Sequence, residues 1–221
     1  MLGIITGTSL IGKQFEGTRK TVRTKYGNAE IFEGDRALFL PRHGVNADIP
    51  PHKINYLANI AALQKSGVEC VVGVYSTGSM KLDIPPGTLV VPHDYIDFGG
   101  SMTFYDAEIR HVVPELDLCL RDRLIKASHG RDGGVYVQTR GPRFETKAEI
   151  SMLSQYSDIV GMTMANEATL CREIGIPVAA ICTVDNYANG VSNQELSHET
   201  VTKNAEKNRG AVEEMITRMI E

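Results

Sequence analysis

Several apolar runs of the sequence end in glycine and hydroxyl residues that could bind an oxyanion. Gly7, Thr8 and Ser9 follow the first run, Ser76 follows a second, and Thr163 follows another. Glycine allows an anion to approach the backbone, and the hydroxyl groups can donate hydrogen bonds to it. One such turn alone is more typical of an ordinary loop, so only the combination predicts an anion site.

A cationic pair, Arg42 and His43, follows a further apolar run. Arginine binds an oxyanion through two parallel N–H bonds, and histidine can supplement them. A surface cation pair is the alternative for these two residues taken alone. Together with the hydroxyl turns, however, the pair predicts a site for a tetrahedral oxyanion such as phosphate. The sequence contains neither the P-loop of nucleotide triphosphatases nor the glycine motif of dinucleotide-binding folds.

An aromatic ring and two carboxylates in the second half could bind a heterocycle. Phe144 and Glu145 follow a Gly-Pro turn, and Asp185 directly follows a later apolar run. A ring to stack on and a carboxylate that accepts N–H bonds suit a 6-oxopurine, whose N1–H is a donor. Each residue has an alternative role, because Glu145 and Asp185 could cap helices and Phe144 could belong to the core.

Alternating strands and helices must position these side chains. Short apolar runs predict strands at Met1–Thr6, Ala29–Phe32, Ala37–Leu40, Cys70–Tyr75, Thr88–Val91, Val135–Thr139, Ile159–Met162 and Val178–Thr183. Amphipathic spacing predicts helices at Pro51–Lys65, Leu116–Ser128, Lys147–Ser154, Glu167–Ile174 and Gln194–Ile220. The segment Asp97–Val113 has no clear period and is predicted to be a long, functional loop.

This alternation predicts the fold class and the place of the site. Strands that alternate with helices form βαβ units, which build a largely parallel sheet covered on both faces. No linker or repeat divides the chain, so we expect one α/β domain over residues 1–221. Ligands of such sheets bind outside the carboxyl ends of the strands, where the residues above should meet.

Composition excludes several classes of partner. The 23 Lys and Arg against 27 Asp and Glu give a net charge of −4, which argues against a nucleic-acid-binding protein. The four cysteines lack Cys-x-x-Cys spacing, and no cluster of metal-ligating residues is evident, so we expect no metal. No basic leader or membrane-spanning run is apparent, which predicts a cytoplasmic protein that binds small molecules and no membrane.

The motifs in their order resemble those of the trimeric purine nucleoside phosphorylase and methylthioadenosine phosphorylase family. The resemblance runs from about Met1 to Val201 and includes Pro51-His-Lys-Ile-Asn-Tyr-x-Ala-Asn59 and Gly141-Pro-Arg-Phe-Glu145. It implies one domain around a mixed sheet, assembled as a homotrimer or a dimer of trimers. It also implies phosphorolysis of a nucleoside to a free base and a pentose 1-phosphate. Inorganic phosphate is then a co-substrate, and no cofactor is expected.

The resemblance also implies a role for each matching position. The expected phosphate ligands are Thr8, Arg42, His43, Ser76 and Thr163. The expected nucleoside contacts are Phe144, Glu145 and Asp185 at the base, Met162 and Tyr136 at the ribose, His198 at the 5′-hydroxyl, and His111 in a loop that reaches a neighbouring subunit. Asp185 and His43 are the expected catalytic residues. Burial would raise the pKa of Asp185 and let its protonated form donate to purine N7.

The substrate stays open at this point. In the family that the motifs resemble, Glu145 is typical of the 6-oxopurine branch. An aspartate at the N7 position, here Asp185, is instead typical of the aminopurine branch. His198 favours an ordinary nucleoside over a 5′-methylthio one. The prediction is therefore a phosphorylase of inosine or guanosine, with methylthioinosine or methylthioadenosine as the alternative substrate. A nucleosidase that uses water and an inactive purine-binding protein are less favoured.

Overall fold

The computed structural model describes residues 1–13, 15, 17–100 and 102–221. Its strands are β1 Leu2–Thr6, β2 Thr18–Thr24, β3 Gly27–Glu33, β4 Ala37–Pro41, β5 Cys70–Ser79, β6 Leu89–Val91, β7 Asp94–Asp97, β8 Arg131–Asp132, β9 Val135–Gln138, β10 Ile159–Gly161 and β11 Val178–Tyr187. Its α-helices are α1 Tyr56–Lys65, α2 Leu118–Ser128, α3 Lys147–Leu153, α4 Met164–Glu173 and α5 His198–Ile220.

The centre of the sheet consists of strands that are buried on both faces. β1 is buried at every position, and the ten-residue strands β5 and β11 are buried along almost their whole length. β1 pairs in parallel with β4 and β5, and β11 pairs in parallel with β5. Antiparallel pairs join β2 to β3, β3 to β4, β10 to β5 and β11 to β6. The expected mixed, largely parallel sheet is confirmed.

Helices cover both faces of this sheet. Alternate residues of β5 point to opposite sides, as the pleat of a strand requires. Val71 and Tyr75 pack into the cluster that contains apolar side chains of α1 and α4. Val72 and Val74 pack into the cluster that contains those of α2 and α5. The fold thus brings α4 and α5 to opposite faces of the two long central strands.

Some element boundaries differ from the predictions. β2 was not predicted because its sequence, Thr-Arg-Lys-Thr-Val-Arg-Thr, is largely exposed at the sheet edge. A 3-10 turn occupies Pro51–Lys53, and α1 begins only at Tyr56, where the Asn55 side chain accepts from the Ala58 N–H at 3.0 Å. α5 begins at His198 rather than Gln194, because Ser197 caps it.

Within the described ranges, no helix combines the length and the apolar character needed to span a bilayer.

Candidate active site

A cavity of about 200 Å³ lies where β1, β4, β5, β10 and β11 end. Nine residues predicted from the sequence line it: Thr8, Arg42, His43, Ser76, Phe144, Glu145, Met162, Thr163 and His198. Other lining residues were not predicted, among them Asn186, Leu196 and Val201. The carboxyl ends of the strands therefore form one site, as the alternation of strands and helices suggested.

The turn after β1 is held in place by side chains from other elements. A Cβ atom at Gly7 would overlap Arg42 Nη1 and lie 2.8 Å from the Val74 carbonyl oxygen, so only glycine fits. Arg209 of α5 donates to the carbonyl oxygens of Ser9 at 3.1 Å and Ile11 at 2.9 Å. These contacts fix the position in which Thr8 meets the cavity.

Arg42 has a different partner from the one expected. Its Nε and Nη2 donate to the two carboxylate oxygens of Glu167, at 2.8 and 3.0 Å, and both side chains are almost fully buried. Nη1 donates to the Val74 carbonyl oxygen at 2.7 Å, and the guanidinium stacks on the Tyr75 ring. Burial alone would lower the pKa of Arg42, but the charge of Glu167, its hydrogen bonds to the guanidinium, and Tyr75 and Tyr56 together outweigh burial and raise it.

The two parallel N–H bonds that we expected Arg42 to offer an oxyanion are thus directed at Glu167. Of its five N–H groups, one more points to the Ile5 carbonyl oxygen at 3.5 Å. One Nη1–H, beside Gly7, has no partner among the described residues. Arg42 can therefore give an anion in the cavity a single donor, and Glu167 largely neutralises its charge.

His43 lies on the cavity wall as a neutral ring. Its Nδ1 donates to the Ile49 carbonyl oxygen at 2.9 Å, which leaves Nε2 as an acceptor in the neutral form. Burial lowers the pKa of His43 below its ordinary value, and the nearby charge of Arg42 lowers it further. His43 is therefore uncharged near neutral pH.

The N-terminus of α4 explains why Tyr136 lies away from the cavity wall. Tyr136 is fully buried, and its hydroxyl accepts from the N–H groups of Thr163 and Met164 at 3.2 and 3.3 Å. Gln138 Oε1 accepts from the Ala165 N–H at 2.7 Å. These bonds satisfy the first donors of the helix, a role that differs from the ribose contact expected of Tyr136. The Thr163 hydroxyl caps nothing in α4 and remains on the cavity wall.

A bulge in β11 gives the neighbouring side chains of Asp185 and Asn186 different surroundings. The pairing of β11 with β5 shifts between Val184 and Asn186, which leaves Asp185 unpaired. The Asp185 side chain is fully buried and is absent from the cavity wall, whereas the half-buried Asn186 lines it. The structure thus brings an amide to the place where we expected the Asp185 carboxylate.

The Asp185 carboxylate lies behind the wall, among neutral donors. Its Oδ2 accepts from the hydroxyls of Ser76 and Thr183, the latter at 3.1 Å, and its Oδ1 accepts from Asn208 of α5 at 2.7 Å. Burial raises the pKa of Asp185 to about 6, although these hydrogen bonds oppose the increase. Ser76 is the only one of these three donors that also lines the cavity, within the described part of the chain.

Of the remaining predicted residues, Glu145, Phe144 and His198 line the cavity and His111 does not. Glu145 is 7% exposed and accepts from the Thr139 hydroxyl at 2.5 Å, while Phe144 is 36% exposed beside it. His198 lies on the wall at the first residue of α5. His111 is exposed in the loop between β7 and α2 and does not line the cavity.

Comparison with known proteins identifies the family. The family model described as the phosphorylase superfamily matches residues 3–221. The chain belongs to the phosphorylase superfamily. This phosphorylase is 42% identical to an Archaeoglobus fulgidus protein named "Probable 6-oxopurine nucleoside phosphorylase", over 94% of this chain and 90% of the relative. The predicted family and the predicted enzyme class, a nucleoside phosphorylase, are confirmed.

Two further comparisons show the range of substrates among relatives of the phosphorylase. A Methanocaldococcus jannaschii protein named "Probable S-methyl-5'-thioinosine phosphorylase" is 41% identical over 91% of this chain and 84% of its own length. Methylthioadenosine phosphorylase from Schistosoma mansoni, solved with adenine, superposes with a TM-score of 0.86 at 27% identity and covers 99% of this chain and 90% of its own.

Proposed function

We propose that the protein cleaves 6-oxopurine nucleosides with phosphate, giving the free base and pentose 1-phosphate. The observation that carries this proposal is that Glu145 and Asn186 line the same cavity as the hydroxyl residues Thr8, Ser76 and Thr163. One end of the cavity can then recognise a purine while the other holds the attacking anion. The names of the relatives from Archaeoglobus and Methanocaldococcus support it, because inosine and methylthioinosine share the same 6-oxopurine base.

In the sequence, Glu145 favours a 6-oxopurine, whereas Asp185 at the N7 position would favour an aminopurine. We propose that Asn186 rather than Asp185 contacts N7, which removes this conflict. Glu145 accepts the N1–H of a 6-oxopurine, and the Thr139 hydroxyl orients its carboxylate. Asn186 uses one amide N–H for the Tyr187 carbonyl oxygen at 2.8 Å, which leaves a second N–H to donate to purine N7. Asparagine at the N7 position is typical of the 6-oxopurine branch, so Asn186 and Glu145 both favour the same base. Phe144 provides a ring against which the base stacks.

Phosphate acts as the nucleophile and as an electrostatic partner in this proposal. Positive charge develops on the ribose as the glycosidic bond breaks, and an adjacent phosphate stabilises it and then attacks the anomeric carbon. Thr8, Thr163 and Arg42 donate to the anion, while neutral His43 can accept from its hydroxyl group. Met162 lies against the ribose. No cofactor or metal takes part.

A single set of assays tests the function. We expect base release from inosine and guanosine to require added phosphate and to produce pentose 1-phosphate in equal amount. Adenosine should be a poor substrate, because its N1 is an acceptor and would face the Glu145 carboxylate. Base release without phosphate would instead identify a nucleosidase. Purine binding without turnover of any nucleoside would identify an inactive binding protein.

A 5′-methylthio nucleoside is the second candidate substrate. His198 and Val201 lie three residues apart on α5 and line the cavity together with Leu196. His198 suits a 5′-hydroxyl, whereas the two apolar side chains suit a sulfur-bound methyl group. This part of the wall therefore determines whether inosine or methylthioinosine is preferred.

Replacing His198 with alanine tests the contact to the 5′-hydroxyl. If His198 binds this group, kcat/KM for inosine should fall about tenfold, the effect of one lost hydrogen bond, while kcat/KM for methylthioinosine stays the same or rises. Methylthioinosine is thus the internal control for folding and base binding. An equal loss with both substrates would contradict the assignment.

We also propose that the enzyme assembles as a homotrimer or a dimer of trimers in the cytoplasm. His111 is flanked by Ile109 and Val113, whose side chains are 95% and 74% exposed, and such apolar exposure is typical of a surface that another subunit covers. His111 would then reach the cavity of a neighbour. The thiols of the four cysteines are unpaired, as is usual in a reducing compartment. A sedimentation mass that is not a multiple of three subunits would overturn this assembly.

A further inference from the structure

We propose that Asp185 is a positioning residue that couples anion binding in the cavity to the uptake of one proton, by setting the direction in which the Ser76 hydroxyl donates. The proposal rests on the phosphorolysis proposed above, since the anion is its phosphate. Asp185 itself does not line the cavity, and Ser76 is its link to the bound anion.

The Ser76 hydroxyl has one proton and two possible acceptors. In the structure it donates to Asp185 Oδ2, so that only lone pairs of its oxygen remain for the cavity. Lone pairs repel an anion. For Ser76 to donate to phosphate and remain hydrogen-bonded to Asp185, the bond between them must reverse, and this requires a proton on Oδ2.

The neighbouring hydrogen bonds allow such a reversal without leaving a group unpaired. The Thr183 hydroxyl lies 3.1 Å from Asp185 Oδ2 and 3.3 Å from the Tyr75 carbonyl oxygen, so it can donate to either. With Asp185 ionised, Ser76 and Thr183 both donate to Oδ2. With Asp185 protonated, Oδ2 donates to the Ser76 oxygen, and the Thr183 hydroxyl donates to the Tyr75 carbonyl oxygen. The Ser76 proton then points to the cavity. The added proton comes from solvent and stays on Asp185, while no bond of the anion changes.

Charges around the site favour the protonated arrangement when an anion is bound. Arg42 is neutralised by Glu167, and His43 is uncharged near neutral pH. An ionised Asp185 would therefore leave a net negative charge next to a dianion, and like charges in a low dielectric repel strongly. Uptake of one proton removes this repulsion and creates a donor at the same time.

The elements packed against β11 place no free cation beside Asp185 within the described ranges. β5 contributes Ser76 and Tyr75, and β6 is the apolar run Leu89–Val91. From α5, Asn208 donates to the carboxylate and Asn204 to the main-chain oxygen of Asp185 at 2.9 Å. Three charged groups on these elements have other partners: Glu167 of α4 bonds Arg42, Arg121 of α2 bonds Asp132, and Arg209 of α5 bonds Ser9 and Ile11. Lys207 of α5 is exposed and donates to Asn204 Oδ1 at 3.1 Å rather than to Asp185. The Cys182 thiol on β11 is fully buried, and burial raises its pKa.

The pKa of Asp185 allows the carboxylate to take up a proton when an anion binds near neutral pH. Burial raises the pKa of Asp185 to about 6, so the carboxylate is mostly ionised at neutral pH but gains a proton at small cost. An anion that prefers the protonated form raises this pKa further, and the proton is then taken up on binding.

Sulfate is the probe for this coupling, because it remains a dianion throughout the relevant pH range whereas phosphate itself titrates. Calorimetry in buffers of different ionisation enthalpy measures the protons taken up per bound sulfate. For the wild-type protein we expect close to one proton near neutral pH. The sulfate Kd should rise about fivefold between about pH 6 and about pH 7, as expected for one linked proton on a group whose pKa is about 6.

Asp185→Asn is the decisive variant. Its amide can donate to Ser76 as the protonated carboxyl would, so sulfate should bind with the low-pH affinity of the wild type at every pH and with almost no proton uptake. Ser76→Ala, at a partly exposed site, should bind sulfate several-fold more weakly and take up less than half as many protons. Wild-type binding and Ser76→Ala decide the question even if Asp185→Asn fails to fold.

Three results would overturn the proposal. If the wild type binds sulfate without proton uptake, the proposed role of Asp185 is wrong, but the proposed phosphorolysis is not contradicted. Undiminished uptake in Asp185→Asn that disappears in His43→Asn would assign the proton to His43. Absence of sulfate and phosphate binding at all pH values would overturn both this inference and the proposed function, and the phosphate-dependence assay separates that case from the first.

Discussion

Replacing Glu145 with glutamine is expected to lower kcat/KM for inosine about 100- to 1000-fold while leaving the KM for phosphate nearly unchanged. The carboxylate of Glu145 is buried and oriented by the Thr139 hydroxyl, so in our proposal it meets the purine N1–H without competing water. A hydrogen bond from a donor to a buried charged group contributes about 1.5–3 kcal/mol, and a mismatched donor in such a site costs more. Glutamine keeps the shape but can present an N–H to the N1–H of the base.

The same variant should change the order of substrates. Adenosine offers an acceptor at N1, which the amide of glutamine can satisfy, so the ratio of inosine to adenosine activity should fall. Glu206→Gln on α5 is a suitable control, because Glu206 is exposed and does not line the cavity. Retention of inosine activity within threefold in Glu145→Gln would show that another group reads the base.

The sequence was a good guide to the framework of the fold. Long apolar runs predicted β5 and β11, and continuous burial is what a central parallel strand requires. The edge strand β2 could not be predicted in the same way, because an exposed strand of threonine, arginine and lysine lacks an apolar pattern. Its regularity comes from pairing with β3, a contact that composition does not encode.

The site was harder to predict at the end of β11, where a bulge decides whether Asp185 or Asn186 faces the cavity. Alternation along β11 offers a signal, because Ala179 and Ile181 face α2 and α5, and Asp185 continues this series. The position of Asp185 against Asn208 is consistent with that alternation. The bulge that puts Asn186 on the cavity wall, however, depends on how β11 pairs with β5. Position after a strand was therefore insufficient to choose between two adjacent residues.

The partner of Arg42 illustrates a second limit. Glu167 lies 125 positions away, in a helix whose predicted start was Glu167 itself. The structure begins α4 at Met164 because Tyr136 and Gln138 accept from its first N–H groups, and Glu167 then falls one turn inside, with 0% exposure. Only the assembled fold brings the two charges together.

Replacing Glu167 with glutamine is expected to lower the free energy of unfolding by about 3–5 kcal/mol. It should also raise the KM for phosphate, because the two carboxylate bonds that hold the Arg42 guanidinium in position are lost or weakened. Removal of one partner leaves the buried Arg42 charge without compensation, which is the costly way to break a buried ion pair. Tyr75 also loses the carboxylate to which its hydroxyl donates at 2.8 Å. Denaturant unfolding followed by circular dichroism measures the stability, and the KM for phosphate measures the site.

The double variant Arg42→Met with Glu167→Leu separates the two roles of the pair. Replacing both charges with apolar groups of similar volume should restore much of the stability that Glu167→Gln loses, because no buried charge remains unpaired. It should not restore phosphate use, since the Nη1–H beside Gly7 is gone. Asp122→Asn, at the exposed Lys126–Asp122 pair, is the control and should change neither quantity measurably. A stable double variant with normal phosphate KM would show that Arg42 supports the fold alone.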